Sequence, residues 1–330
     1  MTTQLGSDRS VKLMRDRCID LAQQRVLISS VGRSTQSADL SVPANCGGLG
    51  RIKHFRSSAK GAWPKNCLPG LPASKWLQRP MREETRAQVF QLAGCPLRCW
   101  YCYVPFQLLS GNQNVGAWKS ANDLLDLYLD EEERPDIIDL SGGAPELVPE
   151  WVAWMATEIE ARGLSRQVFL WSDDSLTTDL LVRSEMRPLL RKIEGYRGYS
   201  KVCCLKGVST DSFEFTTGAS GEGFRRQIDI LKRYLVTDID LYAYITLAFP
   251  PQGGIKDAID ALLDELQGVD EAFIGRIVPL RVEQFSNMAT RTTDMRSEAL
   301  RFQDDVIQIW NECLSNRGAI PMPTGATANE

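Results

Sequence analysis

The chain has 330 residues, 43% hydrophobic and 24% charged, with a net charge of -4. That balance suits a globular core, and its slight acidity argues against a broad nucleic-acid-binding surface. No apolar run approaches the roughly 20 residues of a membrane helix, and the opening MTTQLGSDRS lacks the basic-then-apolar layout of a secretion signal, so the nine cysteines are expected to sit reduced in the cytoplasm.

Residues 11–30, VKLMRDRCIDLAQQRVLISS, read as a helix running into a short strand. From 31 to about 80 the character changes: five Gly and five Pro fall between 41 and 80, with Cys46, His54, Trp63, Cys67 and Trp76 among them. So long a loop is uncommon unless it is functional or disordered. The tryptophans point to an irregular cover packed on the main domain.

After residue 85 the pattern becomes rhythmic. TRAQVFQLAG reads as a strand, SANDLLDLYLDEE as a helix capped by Ser120, and DIIDLSGG as a second strand. PEWVAWMATEIEARG starts at Pro149 and stops at Gly163 as helices do. RQVFLWS and YSKVCCLKGV are the third and fourth strands, DLYAYITLAFP the fifth and AFIGRIVPL the sixth. The helices EGFRRQIDILKRYL and IKDAIDALLDELQG fall between these later strands, and a last helix covers about 294–316. Strands alternating with helices predict an α/β fold with a parallel sheet, either open or curled into a partial barrel. The expected division is 1–84 for the N-terminal helix and irregular Gly/Pro-rich cover, 85–285 for the core, and 286–330 for the C-terminal helix and tail.

The first of these strands leads into GCPLRCWYCYVP, which places Cys95, Cys99 and Cys102 at C-x3-C-x2-C spacing. Three thiolates do not complete the tetrahedral shell of structural zinc. They can hold three irons of a 4Fe-4S cluster and leave the fourth iron open for chemistry. The loop leaves the C-terminal end of a strand, where α/β sheets bind ligands. A zinc site completed by Cys46, Cys67 or His54 is the alternative.

Cys95, Cys99, Tyr101 and Cys102 form a C-x3-C-x-aromatic-C pattern that resembles the cluster loop of the radical S-adenosylmethionine (radical SAM) enzymes. SGGAPE, after the second strand, is similar to the family's glycine motif, and CCLKGVSTDSFEFTTG more weakly resembles the glycyl-radical activating branch. The resemblance spans roughly residues 85–285. It implies a partial (β/α)6 barrel with an irregular N-terminal extension, a 4Fe-4S cluster held by Cys95, Cys99 and Cys102, and SAM on the open iron. It also implies an oxidoreductase in which SAM is reductively cleaved to a 5'-deoxyadenosyl radical that abstracts hydrogen from a substrate. An electron donor such as flavodoxin or ferredoxin is an implied partner; the substrate is a protein, a peptide or a small molecule, with no nucleic acid or membrane involved.

The same resemblance places Ser141, Gly142 and Gly143 at the SAM amino group, although Ala144 stands where the family often has an acid and Glu146 follows two positions on. It sets Tyr101 against the adenine, the alternative being a core aromatic. Ser172 and Asp173, with Asp174, end the third strand and either bond the SAM ribose or amino group or cap a helix. Lys206 meets the SAM carboxylate or snorkels at the surface. No catalytic residue is assigned. Tyr242, Tyr244 and Thr246 share one strand face, and Arg276 and Arg281 flank the sixth strand as holders of an anion or as solvated arginines. Cys203 and Cys204 face opposite sides and, like Cys18 and Cys313, are expected to pack as small apolar groups. Only Cys313 lies beyond residue 204, so no cysteine-rich C-terminal extension is expected. His54 is the single histidine, with no nucleophile elbow near it, and no phosphate loop is present. Two other readings stand beside the enzyme: a zinc-stabilised binding module, and a cluster-binding scaffold without catalysis.

Overall fold

Residues 4–56 and 66–319 are described by a computed structural model; Trp63 of the expected cover lies outside them. Helix α1 (Asp8–Cys18) is started by Ser7, whose side chain accepts from the Ser10 N–H. Strands β1 (Ile19–Asp20), β2 (Arg25–Ser29) and β3 (Gly50–Arg56) follow, then helix α2 (Gly70–Leu77) and strand β4 (Glu84–Phe90). Beyond the cysteine loop come β5 (Gly116–Ser120), α3 (Ala121–Leu129), β6 (Ile137–Leu140), α4 (Glu150–Ala161) and β7 (Phe169–Asp174). The chain continues through α5 (Arg187–Gly195), β8 (Tyr199–Leu205), α6 (Thr210–Thr217), α7 (Glu222–Leu235) and β9 (Asp240–Thr246). It ends with α8 (Ile255–Gln267), β10 (Ile277–Leu280) and α9 (Asp294–Asn316).

The main sheet runs β10-β9-β8-β7-β6-β4-β3. Neighbours from β4 to β10 pair in parallel, whereas β3 pairs antiparallel with β4. Successive parallel strands are added on the same side in chain order, so the sheet curls as a barrel does instead of reversing like a doubly wound sheet. The result is the expected partial (β/α)6 barrel. All six expected core strands are present. The 31–80 stretch is less irregular than expected, because Gly50–Arg56 joins the barrel sheet over its full seven-residue length. A separate three-stranded antiparallel sheet, β1-β2-β5, flanks it. The β5 strand and the helices α2, α5 and α6 were not expected.

Strand alternation divides the core in two. Outward residues such as Phe90, Leu140, Leu170, Cys203 and Ile245 pack under the helices. Inward residues Phe55, Ala87, Ile137, Trp171, Val202, Cys204, Tyr242 and Tyr244 make a concave-face cluster. Leu68, Ala73, Trp76 and Leu77 join that cluster. Trp76 Nε1 donates to Ser165 O, just ahead of β7, and Arg79 pairs with Asp136 at the start of β6. Residues 76–79 therefore pack at the N-terminal end of the barrel strands, opposite the cysteine loop, while Asn66 donates to the Tyr244 hydroxyl inside the barrel.

Candidate functional site

The loop after β4 is fastened by its backbone. The Cys95 N–H donates to Leu109 O (3.1 Å) and the Cys102 N–H to Cys99 O (3.0 Å). Between them, the Arg98 and Trp100 N–H groups donate to Thr217 and Thr216 carbonyls at the end of α6. The Arg98 guanidinium donates to the carbonyls of Cys95 (2.7 Å) and Leu97 (2.6 Å).

The glycine turn after β6 locks against this loop. Gly142 and Gly143 have φ of +83° and +69°, values that favour glycine. A Cβ on Gly143 would stand 2.3 Å from Leu92 O and 2.7 Å from Gly94 O, and one on Gly142 would strike Gln91. The Ala144 N–H donates to Gly94 O (2.7 Å). Since this contact is made by the backbone, the side chain at Ala144 leaves the junction intact.

Cys95 and Cys99 are buried and Cys102 is partly exposed. Burial, and next the charge of Cys99, pushes the Cys95 thiol up; the same two causes push Cys102 up to about 11. All three thiols therefore lie within electrostatic reach of one another, and two cations attend them. Burial opposes the charge on Lys206, but Tyr101, Cys204, Cys99 and Cys95 outweigh it and hold the ammonium well above the ordinary lysine range. Arg291, ahead of α9, is lowered by burial and favoured by Cys102 and Cys99. Among the described residues no three His, Cys, Asp or Glu side chains, the cysteine trio included, are set as a metal-holding group. The fit to a cluster is chemical: three soft donors on one pinned loop, beside cations that favour thiolates.

The other candidates divide by strand face. Tyr101 stands with the cysteines, its hydroxyl 3.0 Å from Thr246 Oγ1. Ser141 donates to Asp173 Oδ2, leaving Asp173 Oδ1 without a partner. Ser172 is a correction. Its hydroxyl lies 2.7 Å from Tyr199 Oη in the layer under the helices, because it alternates with the inward Trp171 and Asp173. Asp174 likewise faces outward and pairs with buried Lys201 at 2.8 Å. Tyr242, Tyr244 and Thr246 point inward. Arg276 is paired with Asp240, and Arg281 with Glu283 and Asp304, so neither offers an open anion site.

Cys18, Cys203, Cys204 and Cys313 are buried. Cys46 donates from its thiol to Leu127 O of α3. Cys67 packs on the concave face near Tyr242. His54 pairs with Glu84 and stands opposite Arg86, four residues, or roughly 13 Å, short of the end of β4. None of these three is drawn towards the cysteine trio.

Several polar residues on the concave face escaped the sequence reading. Arg51 and Lys53 point inward from β3, in register with Val89 and Ala87. Arg51 donates to the Tyr103 hydroxyl and lies 4.8 Å from the centre of that ring. Asp139, in β6, is fully buried, and Lys53 Nζ is 3.6 Å from its Oδ2. Burial pushes its carboxyl up to about 7, with Lys53 opposing and Asp173 reinforcing the shift.

Glu146, behind the glycine turn, is buried and accepts from Thr177 Oγ1 at 2.8 Å. Burial, then the Asp174 charge, raises it from 4.5 to about 7. A raised carboxyl contributes stability that is complete below the unfolded value and is lost as pH rises through the folded one. Glu146→Gln is therefore expected to reduce the fall in stability between pH 4.5 and 8 by roughly 3 kcal/mol. Urea unfolding at the two pH values measures this; an unchanged difference would refute it.

No protein-family model matches the chain, and no curated protein matches it. Among solved structures, a spore photoproduct lyase variant with bound AdoMet and dinucleoside spore photoproduct is similar to it, with a TM-score of 0.43 and 9% identity over 74% of this chain and 76% of that one.

Proposed function

We propose that this chain is a radical SAM enzyme, with Cys95, Cys99 and Cys102 as ligands of a 4Fe-4S cluster and SAM bound at the position they leave open. The observation that carries the reading is the junction of the two motifs. The C-x3-C-x2-C loop and the Gly142–Gly143 turn meet at the C-terminal ends of β4 and β6, with Ala144 N–H bonded to Gly94 O. When bound, the cluster supplies the low-potential electron that splits SAM into methionine and a 5'-deoxyadenosyl radical.

The chain's own residues bind and orient. Ser141, Gly142 and Gly143 present close backbone to the SAM amino group. Tyr101, fixed by Thr246, presents its ring to the adenine. Lys206 supplies a positive charge for the SAM carboxylate, and Asp173 offers its unpartnered oxygen to a ribose hydroxyl or the amino group. A buried barrel interior also shields a reactive radical from water and holds the substrate hydrogen near it. Flavodoxin or ferredoxin is the proposed electron source.

Anaerobic reconstitution is expected to give brown protein with about four irons per chain. Dithionite and SAM should then yield 5'-deoxyadenosine and methionine. Colourless protein holding one zinc would favour the binding-module reading. Bound cluster with no SAM affinity would favour the scaffold.

A further inference from the structure

Below the cysteine loop, Arg51, Lys53 and Asp139 form a charged constellation that cluster and SAM binding leave unused. Asp139 has no exposed surface, and neither of its oxygens has a hydrogen-bond partner. The 3.6 Å approach of Lys53 is an ion pair too long for a good hydrogen bond. Buried carboxylates are expensive unless charge and lone pairs are both served. Asp173 Oδ1, on the next strand, is also unpartnered, as is Nε of Arg51, which is only 5% exposed.

These groups belong to one place. The charges of Arg51, Lys53, Asp173 and Cys102 all act on Tyr103, and those of Asp173 and Asp139 act on Tyr244. The Lys53 side chain keeps 28% of its surface exposed, whereas that of Asp139 keeps none. Its cations come from β3, separated from the β6 carboxylate by β4, or roughly 10 Å between strand axes. Both oxygens of Asp139 thus lack hydrogen-bond donors and one guanidinium N–H lacks an acceptor, with Lys53 reaching across β4 to within 3.6 Å of the carboxylate.

We propose that Arg51, Lys53 and Asp139 recognise the substrate, and that the substrate is a small zwitterion bearing a primary ammonium and a carboxylate, of the amino-acid class. The ammonium donates to Asp139; the carboxylate accepts from Arg51 and Lys53. A simple carboxylic acid leaves Asp139 unserved, and a simple amine leaves Arg51 unserved. A glycine within a protein chain carries neither charge, which sets this site apart from that of a glycyl-radical activase. The inference rests on the proposed chemistry at the loop above.

Isothermal titration of the iron-loaded protein against the twenty proteinogenic amino acids tests it, with each hit compared with its deaminated acid and decarboxylated amine. At least one amino acid is expected to bind, with both analogues weaker by roughly 10- to 100-fold. Asp139→Asn, and separately Lys53→Met on the other strand, should weaken that binding to a similar degree, while SAM affinity stays within about twofold. Protein that binds SAM but no amino acid would overturn the proposal. Equal binding of the deaminated acid would do the same, as would loss of SAM affinity in Asp139→Asn, which would assign the carboxylate to SAM. Amino-acid binding by wild-type protein that fails to bind SAM would leave this site standing and sink the reading under Proposed function instead.

Discussion

Replacing Cys99 by serine is expected to empty the protein of its cluster and reduce 5'-deoxyadenosine formation to background. Three thiolates are the fewest that can leave a single iron open, and removing one vacates a second corner. Loss of even an outer-sphere partner costs roughly 10- to 100-fold in metal affinity or activity, so loss of a direct ligand should exceed 100-fold. Cys313→Ser is the control. It removes a buried thiol on α9 that touches Asp260, Lys256 and Arg317 electrostatically, and its iron content should match that of the parent. Iron per chain and 5'-deoxyadenosine per hour give the answer. A Cys99→Ser protein with full iron and undiminished turnover would remove the trio from the chemistry.

Gly143→Ala is the second large effect. The residue combines φ of +69° with a virtual Cβ 2.3 Å from one backbone carbonyl and 2.7 Å from another. Those carbonyls, of Leu92 and Gly94, belong to the strand-loop junction that carries Cys95, so the methyl group can be housed only by moving the cysteine loop. Gly163, with φ of +68° and nothing within 4 Å of a virtual Cβ, isolates the conformational part. Gly163→Ala should cost about 1 kcal/mol, the left-handed penalty alone. Gly143→Ala should cost on the order of 3 kcal/mol or more, since steric strain at an over-determined site adds to it. It should also lower SAM affinity. Urea denaturation of both variants measures the difference; equal costs would show that the glycine turn does not brace the loop.

What was legible in the sequence follows from where apolar periodicity survives. The six barrel strands announce themselves because both faces are buried under helices or in the barrel. The β3 segment GRIKHFR hid because its inward positions are Arg51, Lys53 and Phe55. Charges on a concave face break the hydrophobic alternation, and the break falls where the proposed substrate site lies. Asp139 stood in view within DIIDLSGG, but its relation to Lys53 is a tertiary contact between distant segments, with no local pattern to expose it. Ser172 and Asp173 were equally polar and adjacent; register alone sends one under the helices and the other into the barrel. Arg291 acts electrostatically on the cysteines from the segment before the last helix, a long-range relation that spacing does not encode.

The most direct test is electron-nuclear double resonance on the reduced, reconstituted protein, with SAM labelled in turn at its amino nitrogen and its carboxylate carbon. Both labels are expected to couple to the cluster spin, as they must if SAM occupies the iron that Cys95, Cys99 and Cys102 do not reach. A reduced cluster whose spectrum is identical with and without SAM would contradict the account.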